Sequence, residues 1–292
     1  MSGAVGLQRS AEAPVGVFDS GVGGLTVLNA LRERLPDESY LYLGDTARVP
    51  YGTKSVHSIT RYSLQAAELL VERGVKCLVI ACNTASAVAL DVLQRQYAPL
   101  PVLGVVEPGA RAGCEASRTG RIAVLATEST IRGGAYQRAI CGLRPDARVL
   151  VAACPLFVAL AEEGWVEGSI VEAVARRYLE PLFVDPAIGP DALVLGCTHF
   201  PVLTPTLRSV LGPGVRIVDS ARTTAVALAD LLSAAGIAAP RPPAHAASLV
   251  LLSTDDEDRF RSVGSRFLRA PIDRVEVVDL PTGFRTRADG VP

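Results

Sequence analysis

Short apolar segments alternate with amphipathic segments along most of this 292-residue sequence. Nine apolar segments are predicted as strands, at residues 15–18, 40–43, 77–81, 102–106, 122–126, 149–152, 192–195, 216–218 and 248–252. They are almost continuously apolar, which is typical of parallel strands covered by helices on both faces. Amphipathic helices are predicted between them over residues 25–35, 58–73, 165–183 and 223–235. The alternation predicts an α/β fold with mainly parallel sheets.

Composition excludes several classes of protein. Lys plus Arg is 29 and Asp plus Glu is 30, so the formal net charge is −1, and 49% of residues are hydrophobic. We expect a globular protein that is not a general nucleic-acid binder, because such binders usually carry a basic face. No apolar run reaches about 18 residues, and residues 1–14 contain no apolar core of a signal peptide, so we expect neither a membrane span nor a secretory signal. Its six cysteines form no C-x-x-C pair, which indicates a reducing cytoplasm and no structural metal site.

Two stretches of the sequence repeat the same order of features. Segments 15–45 and 122–154 each begin with a predicted strand and reach a Pro-Asp pair before the next strand. Beyond each of these segments, a cysteine directly follows an apolar strand, at Cys82 after the first segment and at Cys197 after the second. The repeat predicts two pseudo-symmetric α/β halves that face each other across a cleft.

These two cysteines are the first candidates for a functional site. Open parallel sheets collect ligands and catalytic groups at the carboxyl ends of their strands. A helix that begins after such a cysteine would favour the thiolate form. A single cysteine more often belongs to the core, but the matched context of Cys82 and Cys197 favours a functional pair. His199 follows Cys197 by two residues and could relay a proton.

A glycine-rich turn after the first predicted strand is a second candidate. Residues 18–25 read FDSGVGGL, and glycines let a backbone approach a ligand closely while a helix start donates N–H groups to an anion. The run is neither a dinucleotide fingerprint nor a P-loop. Asp19 could cap a helix, bind an ammonium group or relay a proton. The acidic run at 255–258 is interpreted as a solvated helix start, and the proline-rich 240–243 as a loop.

Taken together, the motifs resemble those of the aspartate/glutamate racemase family, and within it the glutamate racemases. The matching blocks are GVFDSGVGGL from Gly16, GDT from Gly44 with PYG from Pro50, ACNTAS from Ala81, EPG from Glu107, ACP from Ala153 with FV from Phe157, and LGCTHFP from Leu195. They span residues 14–220. The sequence departs from the family pattern after Thr127, where Glu128-Ser129-Thr130 replaces the usual Gly-Thr.

The resemblance implies a cytoplasmic homodimer that interconverts L- and D-glutamate without cofactor or metal and supplies D-glutamate for peptidoglycan. One cysteine, as thiolate, removes the α-proton, and the other, as thiol, protonates the opposite face. Cys82 would act on the D-enantiomer with help from Asp19, and Cys197 on the L-enantiomer with help from Glu162 and His199. The implied substrate contacts are Asp19, Ser20, Tyr51, Gly52, Asn83, Thr84, Thr127, Thr130, Thr198 and His199.

The family also implies how the chain divides. The segment after about residue 220 matches weakly and in this family returns to the first half. We therefore expect one domain from residues 14–106 plus 217–270, a second from 107–216, and loose tails at 1–13 and 281–292.

Three other functions remain open at this point. The chain could racemise aspartate or another amino acid, because the shape of the pocket determines which length of substrate fits. It could bind an amino acid without α-proton exchange, or it could be a thiol-redox protein in which Cys82 and Cys197 approach closely enough for a disulfide.

Overall fold

The computed structural model describes residues 10–184, 188–240 and 245–281. Its strands are β1 (Val15–Asp19), β2 (Tyr40–Gly44), β3 (Cys77–Ile80), β4 (Val102–Gly104), β5 (Arg121–Ala126), β6 (Arg148–Ala153), β7 (Ala192–Gly196), β8 (Arg216–Asp219), β9 (Leu249–Ser253) and β10 (Glu276–Val277). Its α-helices are α1 (Leu25–Arg34), α2 (Val56–Glu72), α3 (Asn83–Tyr97), α4 (Val106–Ala116), α5 (Glu128–Gly133), α6 (Ala135–Leu143), α7 (Pro155–Glu163), α8 (Ser169–Leu179), α9 (Thr204–Leu211), α10 (Ser220–Ala234) and α11 (Glu257–Leu268). Short 3-10 helices cover Thr46–Arg48, Tyr51–Thr53 and Phe200–Leu203.

Two parallel sheets form the framework. The first has strand order β10-β9-β2-β1-β3-β4, and the second has order β6-β5-β7-β8. Every strand pair in the described residues is parallel. Without β9 and β10 the two orders are the same, because each half places its first strand between its second and third. This confirms the predicted α/β fold with two similar halves and mainly parallel sheets.

Alternate residues of each central strand enter cores on opposite faces of the sheet. In β1, Val15 and Val17 join one apolar cluster and Phe18 joins another. In β7, Leu193 and Leu195 join one cluster and Val194 joins another. Both strands are buried along their whole length, whereas the edge strand β6 is partly exposed. Two covered faces therefore explain why the central strands are continuously apolar.

Most predicted elements are confirmed, with shifts that have local causes. All nine predicted strands are present, but the one predicted at 102–106 stops at Gly104 because Val106 already begins α4. The helix predicted at 165–183 is α8, which begins only at Ser169 because Gly168 has φ 98°. It ends at Leu179, and Glu180 keeps helical backbone angles, but Pro181 has no N–H with which to continue the helix.

The end of α2 and the start of α11 lie where the sequence predicts them. Gly74 has φ 82° and follows α2, as the predicted stop requires. Asp256 caps α11 by accepting a hydrogen bond from the Arg259 backbone N–H at 2.9 Å, which confirms the acidic helix start. Residues 241–244 of the predicted proline-rich loop, and residues 1–9 and 282–292 of the predicted tails, lie outside the described residues. The short exposed strand β10 was missed because its two residues form no apolar run.

Three consecutive parts of the chain form the two sheets, because the chain returns to the first sheet after it has built the second. Strands β1–β4 and β9–β10 build the first sheet, and β5–β8 build the second. The predicted domain boundary between residues 216 and 217 falls inside β8, which pairs with β7. The division into domains otherwise stays a prediction. No helix in the described ranges is long and apolar enough to cross a membrane.

Candidate active site

The carboxyl ends of the central strands of both sheets meet at one cavity of about 320 Å³. Cys82 follows β3 and Cys197 follows β7, the equivalent strands of the two halves, and both thiols are free and line this cavity. The predicted site residues in its lining are Ser20, Tyr51, Gly52, Cys82, Asn83, Thr84, Thr127, Glu162, Cys197, Thr198 and His199. Asp19 and Thr130, also predicted, lie fully buried behind the lining. A larger cavity of about 860 Å³ contains none of these residues.

Cys82 sits at the start of a long helix. Its Sγ caps α3 by accepting a hydrogen bond from the Ala85 backbone N–H at 3.4 Å, and it lies 3.5 Å from the Ser20 hydroxyl. Burial and the nearby Asp19 charge raise the pKa of Cys82 to about 12, against the opposing effect of both hydrogen bonds. The helix start thus acts in the predicted direction, but burial is the larger effect. Cys82 is therefore a thiol at neutral pH.

Asp19 ends β1 and connects the two halves. Its carboxylate accepts hydrogen bonds from the Gly21 N–H at 2.9 Å and from the Thr198 hydroxyl at 3.5 Å. Burial raises the pKa of Asp19, while His199 and the hydrogen bonds lower it. A Cβ on Gly23 would lie 2.4 Å from His199 Nδ1 and 2.5 Å from Thr198 Oγ1, so only glycine permits this close approach.

Cys197 has a different environment, formed by charged side chains. Its Sγ lies 3.8 Å from His199 Nδ1, and His199 Nε2 lies 3.1 Å from Glu162 Oε1. Burial alone would lower the pKa of His199, but its hydrogen bonds with Cys197 and Glu162 raise it to about 10. The bond to His199 holds the pKa of Glu162 below its usual value, helped by Arg259, which donates to Oε2 at 3.2 Å. At neutral pH an imidazolium therefore faces the Cys197 sulfur.

Three threonine hydroxyls join the halves across the cavity. Thr84 on α3 lies 2.8 Å from the Thr127 hydroxyl and 3.2 Å from the Thr130 hydroxyl, and the latter two lie 3.0 Å apart. Glu128, at the departure from the family pattern, lines the cavity, and its carboxylate pairs with Arg132 at 3.8 Å. The substituted loop thus still places both threonines at the site.

The hydroxyl of Tyr51 is already engaged. It donates to Asp45 Oδ2, and Asp45 is completely buried. The next residue, Gly52, approaches the second half so closely that a Cβ there would lie 2.7 Å from Thr127 Cβ. Tyr51 therefore holds the loop that brings the Gly52 backbone to the cavity.

Two residues at the site were missed by sequence analysis. Arg259 lies on α11 among several arginines, so nothing in the sequence distinguishes it. Tyr136 on α6 donates a hydrogen bond from its hydroxyl to Asn83 Oδ1 at 2.6 Å. In the sequence it lies one helical turn from Ile140, a spacing typical of core residues. The cysteines at 77, 114, 141 and 154 do not line the cavity, as expected. Within the described ranges, no three metal-ligating side chains cluster.

The chain is similar to glutamate racemases in sequence and in structure. It is 47% identical over 266 residues to the glutamate racemase of Geobacter metallireducens, covering 91% of this chain and 96% of that protein. It matches the glutamate racemase of Francisella tularensis in complex with D-glutamate with a TM-score of 0.86 and 36% identity, over 94% of this chain and all of that one. The Thermus thermophilus enzyme in complex with β-chloro-D-alanine gives a TM-score of 0.83 and 43% identity, over 93% and 99% of the chains. Residues 25–228 match the Asp/Glu/Hydantoin racemase family. By sequence, fold and site, this chain belongs to the Asp/Glu/Hydantoin racemase family.

Proposed function

We propose that this enzyme interconverts L- and D-glutamate without a cofactor, using Cys82 and Cys197 as the two bases. The observation that carries the proposal is the placement of two free thiols in one cavity, each after the equivalent strand of a different half. Inversion by a single base would require that base to change sides. Two bases on facing halves avoid this movement.

The reaction conserves protons at the site. For L-glutamate, the Cys197 thiolate takes the α-proton and leaves a planar carbanion, and the Cys82 thiol gives its own proton to the opposite face. The product is D-glutamate, and the site now holds a Cys197 thiol and a Cys82 thiolate. D-glutamate reacts by the same steps in reverse.

The residues around each thiol support these roles. The imidazolium of His199 stabilises negative charge on the Cys197 sulfur, and Glu162 holds the imidazolium in place. Burial keeps Cys82 protonated, so it is ready to donate. The cavity is small and lined largely by apolar atoms, so electrostatic interactions with the developing carbanion are stronger than in water.

The proposal that glutamate is the substrate is supported by the similar proteins. The proteins named glutamate racemase above share 36–47% identity with this chain over at least 96% of their own lengths. The groups we propose to hold the substrate are Ser20, Gly52, Asn83, Thr84, Thr127, Thr198 and His199. Tyr51 supports Gly52, and the buried Asp19 and Thr130 support Thr198 and Thr127 through their hydrogen bonds. The same resemblance supports a cytoplasmic homodimer that supplies D-glutamate for peptidoglycan. Complementation of a D-glutamate auxotroph would test the cellular role, and sedimentation velocity would test the dimer.

Racemisation in D₂O tests the reaction. Purified enzyme with L-glutamate, reductant and no added cofactor should lose optical rotation while deuterium enters the α-position, followed together by polarimetry and proton NMR. The double variant Cys82→Ala/Cys197→Ala should show neither change. Cys141→Ala is the matched control, since Cys141 is exposed and outside the cavity, and it should behave as wild type.

The outcomes separate the alternatives. If the enzyme exchanges the α-proton of aspartate but not that of glutamate, the proposed substrate is wrong and the proposed mechanism still holds. Binding of glutamate without exchange would identify a binding protein. Full activity of the double variant would overturn the two-cysteine mechanism.

A further inference from the structure

The side-chain amide of Asn83 is buried with half of its hydrogen-bonding groups unused. Asn83 is 2% exposed and lines the cavity, and its Oδ1 accepts a hydrogen bond from Tyr136. Its Nδ2 is buried and has no hydrogen-bond partner in the described part of the chain. An unpaired buried donor destabilises the folded state, because the group has lost its hydrogen bonds to water. A carboxylate bound in the cavity would satisfy it.

Which way round this amide lies decides whether it can bind a carboxylate. The two orientations of an Asn amide have nearly the same shape, but one presents N–H donors and the other presents an acceptor. The Tyr136 hydroxyl oxygen lies 2.6 Å from Asn83 Oδ1, a distance typical of O–H···O and shorter than the usual N–H···O range. The amide oxygen therefore faces Tyr136, and the amide nitrogen remains for the ligand.

The pKa of Tyr136 agrees with this direction. Burial raises that pKa, whereas the side chain of Ser220, at the start of α10, lowers it. A neighbour that lowers the pKa of a phenol directs a donor toward its oxygen. The single proton of the phenol therefore remains for Asn83 Oδ1.

Tyr136 is itself rigidly held between both halves. It is completely buried, and Gly196 and Gly109 pack so closely on it that a Cβ there would lie 2.9 Å and 3.1 Å from its ring and hydroxyl. Gly196 directly precedes Cys197, whereas Asn83 directly follows Cys82. One phenol thus spans the distance between the two cysteine-bearing loops.

We propose that Tyr136 is a positioning residue that keeps the Asn83 amide turned with its N–H donors toward the substrate carboxylate. The proposal rests on the proposed function, since it assumes an amino-acid carboxylate in the cavity. Tyr136 acts through Asn83 and does not touch the substrate.

A double-mutant cycle tests the proposal. Tyr136→Phe removes only the hydroxyl, so the amide can adopt both orientations, and KM for glutamate should rise about tenfold with little change in kcat. In an Asn83→Ala background the same substitution should change KM by less than about twofold, because its target is gone. An equal KM change in both backgrounds would show a merely structural role and overturn the proposal.

Tyr40→Phe is the matched control. Tyr40 is 2% exposed, and its hydroxyl donates to the Leu31 and Leu35 carbonyls at 3.0 and 3.1 Å, away from the cavity. It should lower the melting temperature without changing KM. If Tyr136→Phe does not fold, NMR of the Asn83 side-chain amide in wild type replaces it: its N–H signals should shift when glutamate binds, and unshifted signals would contradict the proposal.

Wild-type activity is measured first in the same assay. If wild type exchanges no α-proton of glutamate, the proposed function fails, and the cycle is run with the amino acid that wild type does exchange. An active wild type with an unchanged KM in Tyr136→Phe overturns only the role of Tyr136.

Discussion

The two halves of this enzyme share a strand order but hold their cysteines differently. Cys82 caps the 15-residue helix α3, with its sulfur accepting a backbone N–H. Cys197 precedes a 3-10 helix of four residues and faces His199 instead. The first thiol is thus surrounded by neutral donors and one buried carboxylate, and the second by an imidazolium held by Glu162.

The comparison teaches that symmetry and asymmetry serve different needs. Equivalent strand ends bring one thiol from each half to the same cavity, as the proposed inversion by two bases requires. The proposed reaction needs unequal surroundings at the two thiols, because one must give a proton while the other takes one. Because the enantiomers have equal free energies in water, kcat/KM must be the same in both directions. Any difference in kcat between the two directions must therefore be matched by the same ratio in KM.

Replacing one cysteine at a time should give the largest effect. Cys82→Ala and Cys197→Ala should each lower racemisation by about 10²–10⁴-fold, since each removes an acid–base group. Residual deuterium exchange without inversion should be limited to L-glutamate in Cys82→Ala and to D-glutamate in Cys197→Ala. NMR of each enantiomer in D₂O measures this, and the reverse pattern would exchange the two assignments.

Asp19→Asn should sharpen the contrast on the Cys82 side. The Asp19 charge is the second cause, after burial, of the raised pKa of Cys82, so its removal should lower that pKa from about 12. Alkylation of Cys82 at pH 8.5 should become faster while racemisation falls about a hundredfold. Mass spectrometry of the labelled peptide measures the first effect. Asp191→Asn, whose carboxylate binds Ser117 outside the cavity, should change neither quantity.

Glu162→Gln should act on the Cys197 side through His199. Without the carboxylate, the pKa of His199 should fall from about 10, and racemisation should drop about tenfold with its alkaline limb moved to lower pH. The exposed neighbour Glu163→Gln is the matched control. An unchanged pH–rate profile in Glu162→Gln would refute this coupling.

The same shift predicts how stability depends on pH. The folded-state pKa of His199, about 10, lies above its ordinary value of 6.5. Its contribution to the free energy of unfolding is therefore complete below about pH 6.5 and is lost as pH rises toward 10. Denaturant titrations should show a smaller loss over this interval in Glu162→Gln than in wild type.

Arg259→Ala should have the smallest effect. Its side chain is 57% exposed, and solvent screens its 3.2 Å contact with Glu162, so stability should change by less than about 1 kcal/mol. Racemisation should fall about twofold, because Glu162 keeps its bond to His199. Arg261→Ala on the same helix, paired with Asp258, should leave racemisation unchanged. A loss as large as that in Glu162→Gln would show that Arg259 is essential to hold the carboxylate.

Periodicity in the sequence was enough to predict the central strands. Strands such as β1 and β7 are buried on both faces, so their composition records that burial directly. The predictions failed where a backbone angle sets the start of a helix, as at Gly168 before α8, and where a strand is too short to show a pattern, as in the two-residue β10. The paired cysteines were found because chain order reflects the equivalent positions of β3 and β7.

The sequence by itself determined the α/β class, the two similar halves and the polar residues that end their strands, since local burial and turn chemistry set these features. Only the tertiary structure decided that burial raises the pKa of Cys82, that Tyr136 binds Asn83, and that Arg259 reaches Glu162 from α11. These properties depend on burial and on contacts between residues 53 and 97 positions apart. Such contacts leave no periodic trace in the chain, because they arise only when the two halves close around one cavity.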